Sequence, residues 1–185
     1  MRYSHTHKAE TRRRIVDEAS RRFRRDGIEG TGLVPLMKAL GMTHGGFYAH
    51  FASKEALVEA SLDAAIGKLN EKWQDPLPPG QLGAFLAAYL SPQHRDNAGE
   101  GCPLPTLCAE LGLRGQPSPA SDALALRMAQ RLDACTVDGS RAEQGLVALA
   151  AMVGALSLSR AVADPALSER ILGAVQAAVR LPDQG

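Results

Sequence analysis

The stretch Gly99-Glu100-Gly101-Cys102-Pro103-Leu104-Pro105-Thr106-Leu107-Cys108 holds two of the chain's three cysteines. Pro103 suits the first position of a helix, which would put Cys102 at its N-cap. A thiolate there would feel the positive end of the helix dipole, which lowers its pKa and raises its reactivity. Glu100 and Glu110 oppose thiolate formation by their charge. Cys108 is six residues on, roughly 240° round a helix, so the two thiols do not share a face. The competing reading makes Cys102 a small buried residue in the wall of a pocket. Three cysteines, an odd number, give no disulfide framework, and a reduced, cytoplasmic protein is expected.

Other reactive groups are sparse. His5 and His7 lie in a basic N-terminal arm, His94 is alone in a polar loop, and Cys135 is distant from the other thiols. No Cys-x-x-Cys or His-x-x-x-His pair suggests a structural metal, so no metal or cofactor is expected. There is no phosphate-binding glycine loop and no Gly-x-Ser-x-Gly, so an enzyme is not expected.

A second chemistry is written in Thr43-His44-Gly45-Gly46-Phe47-Tyr48-Ala49-His50-Phe51, in a chain with only 4% aromatic residues. Each glycine costs a helix about 1 kcal/mol relative to alanine. A purely structural helix gains nothing in return. A helix whose first turn lies against the edges of DNA bases does, because a backbone without side chains can come close. Phe47 and Phe51, at i and i+4, share one face and would anchor such a helix. Tyr48, His50 and Lys54 point elsewhere and suit phosphate oxygens.

Charge agrees with a polyanion partner. The formal net charge is +1, but residues 1–54 hold 11 Lys+Arg against 5 Asp+Glu, a balance of +6. The remainder holds 10 against 15, a balance of −5. A basic head on an acidic body points first to nucleic acid. No uninterrupted apolar run approaches the ~18 residues of a membrane span, and the N-terminus has no apolar segment of a secretory signal.

These residues need elements to hold them. Residues 8–26 read as a helix with Ile15, Val16, Ala19 and Phe23 on one apolar stripe, stopped by Gly27. Thr31 is read as the cap of a second helix, about 33–40, with Leu33, Leu36, Met37 and Leu40 facing inward. Thr43 caps a third, 44–50, and Ser53 a fourth, from Lys54 to about Trp73. Gly41-Met42-Thr43 is then the turn of a helix–turn–helix.

The segment from Gly27 to Ala60, with its Gly-x-x-x-Thr opening, Leu-Gly-Met-Thr turn, Phe-Tyr-x-His-Phe end and Ser-Lys-Glu-x-Leu start, resembles the DNA-binding domain of the TetR family of transcriptional regulators. The resemblance covers the N-terminal third; the rest matches in layout. It implies an all-α, nine-helix, homodimeric repressor reading a palindromic operator. Residues 1–53 would be the DNA-binding domain, and 54–185 the regulatory and dimerisation domain. Thr31, Thr43, Tyr48, His50 and Lys54 would contact phosphates. His44, Gly45 and Gly46 would face base edges, with His44 where relatives often carry Lys or Arg. Gly101-Cys102-Pro103-Leu104 resembles a Gly-Cys-x-Leu stretch of a subgroup that includes sensors of electrophiles or oxidants.

In the C-terminal two-thirds, Asp75 to Gly80 reads as a rigid Pro-rich connector, 81–91 as a helix, 91–101 as a polar loop, and 103–113 and 120–136 as helices. Ser140-Arg141-Ala142-Glu143 has the form of a capping box and opens a helix to about Ala163. Asp164-Pro165 opens the last helix, to about Leu181. A stripe of small residues on these two helices, Gly145, Ala148, Ala151, Ala155 and Ser159 with Ala174, Ala177 and Ala178, would allow close packing against a second copy. A ligand pocket is expected among Trp73, Phe85, Tyr89, Leu104, Leu107, Met128, Leu132 and Met152. With no charged anchor in that set, an apolar effector is expected to shift the dimer from its DNA-competent form. The alternatives are an activator with the same DNA-binding mode, or an all-helical small-molecule-binding module without an operator.

Overall fold

A computed structural model of the chain describes residues 2–72, 80–133 and 143–179. The expectations for Trp73, the connector from Asp75, Cys135, the capping-box residues Ser140 to Ala142 and the chain beyond Val179 lie outside the described residues. Among those described, the protein is all-α with no strand. Its helices are α1 (Arg2–Gly30), α2 (Leu33–Ala39), α3 (His44–Phe47), α4 (Lys54–Lys72), α5 (Leu82–Tyr89), α6 (Pro92–Asp96), α7 (Leu104–Leu113), α8 (Pro119–Asp133), α9 (Gln144–Ala161) and α10 (Pro165–Val179), with a 3-10 turn at Ala98–Glu100.

The head closes on the expected stripe. Ile15, Val16, Ala19 and Phe23 of α1 are buried with Leu36 and Met37 of α2, Phe47 and Phe51, and Leu57, Val58 and Leu62 of α4. The Phe47 and Phe51 rings stack at 5.7 Å. Leu107, Leu111 and Ala120 of the body join this core, so head and body share buried side chains. A second core gathers Phe85, Leu86, Tyr89, Leu124, Met128, Leu132, Leu149, Met152, Leu156 and Leu172.

Several caps form as their residue types dictate. The Thr43 hydroxyl accepts the Gly46 amide at 3.3 Å, Ser53 accepts Ala56 at 3.2 Å, and Asp164 accepts Ala166 at 2.9 Å. Others differ from expectation. The helix begins at Arg2, through the region read as an arm. Thr31 does not cap α2, which starts from Gly32 without a side-chain cap. Instead, Gly27 leaves helical geometry at φ 79°, and the Thr31 hydroxyl donates to its carbonyl at 2.7 Å.

The polar loop 91–101 contains α6 and the 3-10 turn, because Ser91 accepts the His94 amide and Pro92 starts a turn. This helix, absent from the nine expected, is clamped to the C-terminal helices. Arg160 donates to the carbonyls of Arg95 and His94, both at 3.0 Å, and Arg95 donates to Ser168 at 2.9 Å. Likewise α9 starts at Gln144, with Glu143 at the N-cap position in left-handed geometry (φ 73°) rather than inside a capping box. Asp133 of α8 accepts the Gly145 amide at 2.6 Å instead.

The stripe of small residues on α9 faces inward. Gly145, Ala148, Ala155 and Ser159 are buried within the protomer, and a Cβ on Gly145 would strike the Ala129 carbonyl. The outward face of α9 is a different one: Val147 (70% exposed), Ala150, Gly154, Leu158 and Ala161. On α10, Ala174, Ala177 and Ala178 do face outward. By length and composition α9 could cross a membrane (18 residues, mean hydropathy 1.3), yet its inward face packs in the core of the body.

Candidate nucleic-acid interface and internal cavity

The turn and α3 present their polar atoms outward from a buried aromatic base. Phe47 is fully buried, while Thr43, His44, Gly45 and Tyr48 are exposed, Tyr48 at 58%. Tyr48 is held edge-on between Phe47 (5.2 Å) and His44 (5.5 Å). Its hydroxyl is therefore placed by packing but left free of the core. Lys54 and His50 are half-buried beside it. Arg12 of α1 lies over the Phe51 ring at 4.6 Å, which puts its cation on the same side of the head.

The glycines are the most informative residues. A Cβ on Gly45 would meet nothing within 4 Å, and one on Gly46 only the Thr43 hydroxyl at 3.5 Å and Met42 at 3.8 Å. Neither has the positive φ that favours glycine. Nothing inside the protein asks for glycine at these two positions.

Two expected contacts sit differently. Thr31 is 2% exposed and both its hydroxyl and its amide are used internally, on Gly27 and Ile28, so its side chain is turned away from any phosphate. His50 has a buried Nδ1 with no hydrogen-bond partner. Burial, followed by the charges of Lys8, Arg12 and His7, pushes its pKa below the usual value, so the fold favours the neutral ring.

The body holds a cavity of about 360 Å³ between α1, α4, α5 and the segment from Ser91 to Pro103. Of the residues expected to wall a ligand pocket, Phe85 and Tyr89 line this cavity, and Leu104, Leu107, Met128, Leu132 and Met152 are core residues outside it. Its walls include Arg24, Lys68, His94 and Cys102, which sequence reasoning left out of the ligand site. Arg24 reaches it from the head, and the expectation of a site without a charged anchor is thereby corrected. His94, read as a lone loop residue, is a clamp. Its Nδ1 meets the Tyr89 carbonyl at 2.7 Å, and its Nε2 accepts the Cys102 amide at 2.9 Å. That pairing fixes the neutral tautomer with the proton on Nδ1. It also explains Gly101, where any Cβ would strike the imidazole.

Cys102 itself is buried, one residue ahead of the Pro103 cap of α7. Burial pushes its thiol up; the neighbouring Tyr89 hydroxyl and the Leu104 amide oppose this without reversing it. A thiol so placed forms little thiolate, which disfavours a nucleophilic role. Cys108 is exposed and also pushed up by desolvation. Among the described residues no cluster of His, Cys, Asp and Glu could hold a metal.

Comparison with known proteins agrees with this geometry. Residues 15–61 match the family model for bacterial regulatory proteins of the tetR family. The chain is 36% identical over 79 residues to the HTH-type transcriptional regulator AcrR of Shigella flexneri, covering 41% of this chain and 37% of that protein. It is 29% identical over 114 residues to the HTH-type transcriptional regulator LmrA of Bacillus subtilis, covering 58% and 61%. The matched region thus spans less than two thirds of these relatives. Among solved structures, reduced E. coli NemR superposes with a TM-score of 0.69 at 23% identity, covering 92% of this chain and 95% of that one. A TetR regulator from Chloroflexus aurantiacus gives 0.65 at 23%, covering 97% and 94%. With residues 15–61 matched in sequence and the whole layout matched in fold, the N-terminal region is similar to the helix–turn–helix domain of the tetR family of bacterial regulatory proteins, and the chain shares the fold of solved TetR-family regulators.

Proposed function

We propose that the protein is a homodimeric, sequence-specific DNA-binding transcriptional repressor, released from a palindromic operator by a small-molecule effector, and not an enzyme. The observation that carries this is Gly45-Gly46: two glycines at the start of an exposed helix that the fold does not require. Close approach of backbone to base edges gives them a purpose. In this reading His44, Gly45 and Gly46 face the bases, and Thr43, Tyr48, His50 and Lys54 hold phosphates. Residues 1–53 are the reading head and 54–185 the regulatory body, in a cytoplasmic protein.

Dimerisation is assigned to the outward faces of α9 and α10. Val147, Ala150, Leu158 and Ala161 are exposed and, with the half-buried Gly154, make an outward apolar stripe, and added Cβ atoms on Gly154 and Gly173 would meet nothing within 4 Å. Small residues there let helices of two copies pack closely. A thiol-triggered release is not favoured, because Cys102 is buried with its thiol pushed up.

The test is selection of bound duplexes from a random DNA pool by the purified dimer, with and without thiol oxidant. Enrichment of an inverted repeat, indifferent to oxidant, is expected. A folded dimer that enriches no site overturns the reading.

A further inference from the structure

Buried cations are ordinarily paired with anions, because desolvation of an unpaired charge costs several kcal/mol, roughly. Arg24 departs from that rule. It is 5% exposed, and its Nε and Nη1 donate only to neutral carbonyls, Ser20 at 3.0 Å and Gly101 at 3.1 Å. The carboxylate that influences it most, Glu100, is paired with Arg21 at 3.1 Å and lies at the exposed rim. Among the described residues, no carboxylate forms an ion pair with Arg24. On the same cavity, Tyr89 is 6% exposed, and its buried hydroxyl faces the Cys102 thiol with no oxygen or nitrogen partner. The Cys102 thiol beside it is only a weak donor and acceptor.

One cavity is therefore lined by a buried cation that no carboxylate pairs and by a buried hydroxyl that can donate. Phe85, Ala65, Ala88 and Pro103 make the apolar part of the wall, and Ser91, Gln93, His94, Asn97 and the Arg21-paired Glu100 make its polar part. At about 360 Å³ the space is within the range of small organic ligands and far too large for a lone inorganic anion. A guanidinium matches a carboxylate, and a hydroxyl donor beside it can hold one oxygen of that group. Lys68, at the mouth, adds positive potential that Asp17 partly balances at 2.9 Å.

We propose that this cavity binds an aromatic carboxylic acid, with its carboxylate between Arg24 and the Tyr89 hydroxyl and its ring against Phe85 and Pro103. As an effector this acid rests on the regulator reading above; as a ligand it does not. Arg24 belongs to the head helix α1, and its guanidinium also holds the Gly101 carbonyl of the body. A carboxylate that recruits it acts on the joint between the two.

The test is calorimetric titration of the full chain, without DNA, with 2-naphthoate and with its neutral isostere 2-naphthamide. Saturable binding of the acid at one site per chain is expected, with the amide at least about tenfold weaker, the loss of one charge-assisted contact. Tyr89→Phe, which removes only an oxygen facing the weak Cys102 thiol and keeps the ring, should weaken naphthoate by about tenfold while the unfolding temperature changes little. Arg24→Gln should abolish binding; should it fail to fold, Tyr89→Phe decides. Equal affinity for acid and amide, unchanged affinity in Tyr89→Phe, or no saturable heat at millimolar naphthoate overturns the proposal. Binding of naphthoate to a protein that enriches no DNA site would uphold the cavity and sink only the regulator reading.

Discussion

Glu110, in the middle of the body helix α7, accepts the main-chain amide of Ile28 at 2.6 Å, and its second oxygen accepts the next amide, Glu29, at 2.7 Å. Gly27 breaks α1 just before these residues and exposes their amides as a fresh helix start. The body thus caps the end of the head helix, 82 residues away in sequence. A Cβ on Gly27 would crowd the carboxylate at 2.9 Å, so the glycine and the glutamate require one another.

Removing this cap should cost stability. Glu110→Ala leaves two amides without their acceptor, a loss of about 1–3 kcal/mol. For a chain of this size that is roughly 2–4 °C per kcal/mol in unfolding temperature. Glu110→Gln keeps one acceptor and should lose less. Thermal unfolding of both variants checks this; an unchanged midpoint for the alanine variant would mean the cap is not formed in solution.

This latch shows what was legible beforehand and what was not. Thr43, Ser53 and Asp164 cap helices because a cap acts within three residues, and three residues are visible in a sequence. Thr31 has the same residue type, but its partner is decided by the break at Gly27, so it turned inward. The pattern of small residues on α9 identified the helix but not its outward face, since α8 decides which side is covered. Arg24 could not be assigned to the cavity at all. Nothing near it in sequence announces that the Gly101 carbonyl will accept from it or that Tyr89 will line the same cavity, and among so many arginines of α1 it looked like one more surface cation.

Gly45→Ala should separate folding from function. The added methyl has open space and replaces a poor helix former, so stability should hold or rise by up to about 1 kcal/mol. Affinity for the selected duplex should fall at least about tenfold as the methyl is forced against base edges. Denaturation and gel-shift titrations on one preparation read both. Undiminished affinity would remove Gly45 from the interface.

Lys54→Ala should weaken binding to all duplexes alike and flatten the dependence of log K on log salt by about 0.9, the value of one phosphate contact. Tyr48→Phe, which deletes only the exposed hydroxyl, should weaken binding with little change in that slope, because no charge is lost. Titrations at four salt concentrations distinguish them, and an unchanged slope in Lys54→Ala would place the lysine off the phosphate backbone.

Cys102 should be inert in the folded protein. Its thiol is buried and pushed up by desolvation, so little thiolate forms at neutral pH. Alkylation by iodoacetamide, followed by peptide mass mapping, should label Cys102 at least about a hundredfold faster in denaturant than in native buffer. The exposed Cys108 should differ much less between the two. Rapid native labelling of Cys102 would restore the thiol-switch reading.

His50 should make DNA binding dependent on pH. In the free protein its pKa is held below the usual ~6.5 by burial and by Lys8, Arg12 and His7. Folding alone therefore disfavours the proton: the unfolded chain binds it more tightly, and the stability His50 lends is present above the unfolded pKa and lost as pH falls through it toward the folded one. A phosphate placed against the ring acts in the opposite sense, since a nearby anion favours the imidazolium. Binding then takes up a proton in the window between the free and bound values. Affinity should rise as pH falls from about 7.5 toward 6, with a slope approaching one proton at most. In His50→Gln the slope should shrink. Fluorescence anisotropy with a labelled duplex at fixed salt measures it. A wild-type slope unaltered by the substitution would take His50 out of phosphate contact and leave Tyr48 and Lys54 to fix the register of α3 on DNA.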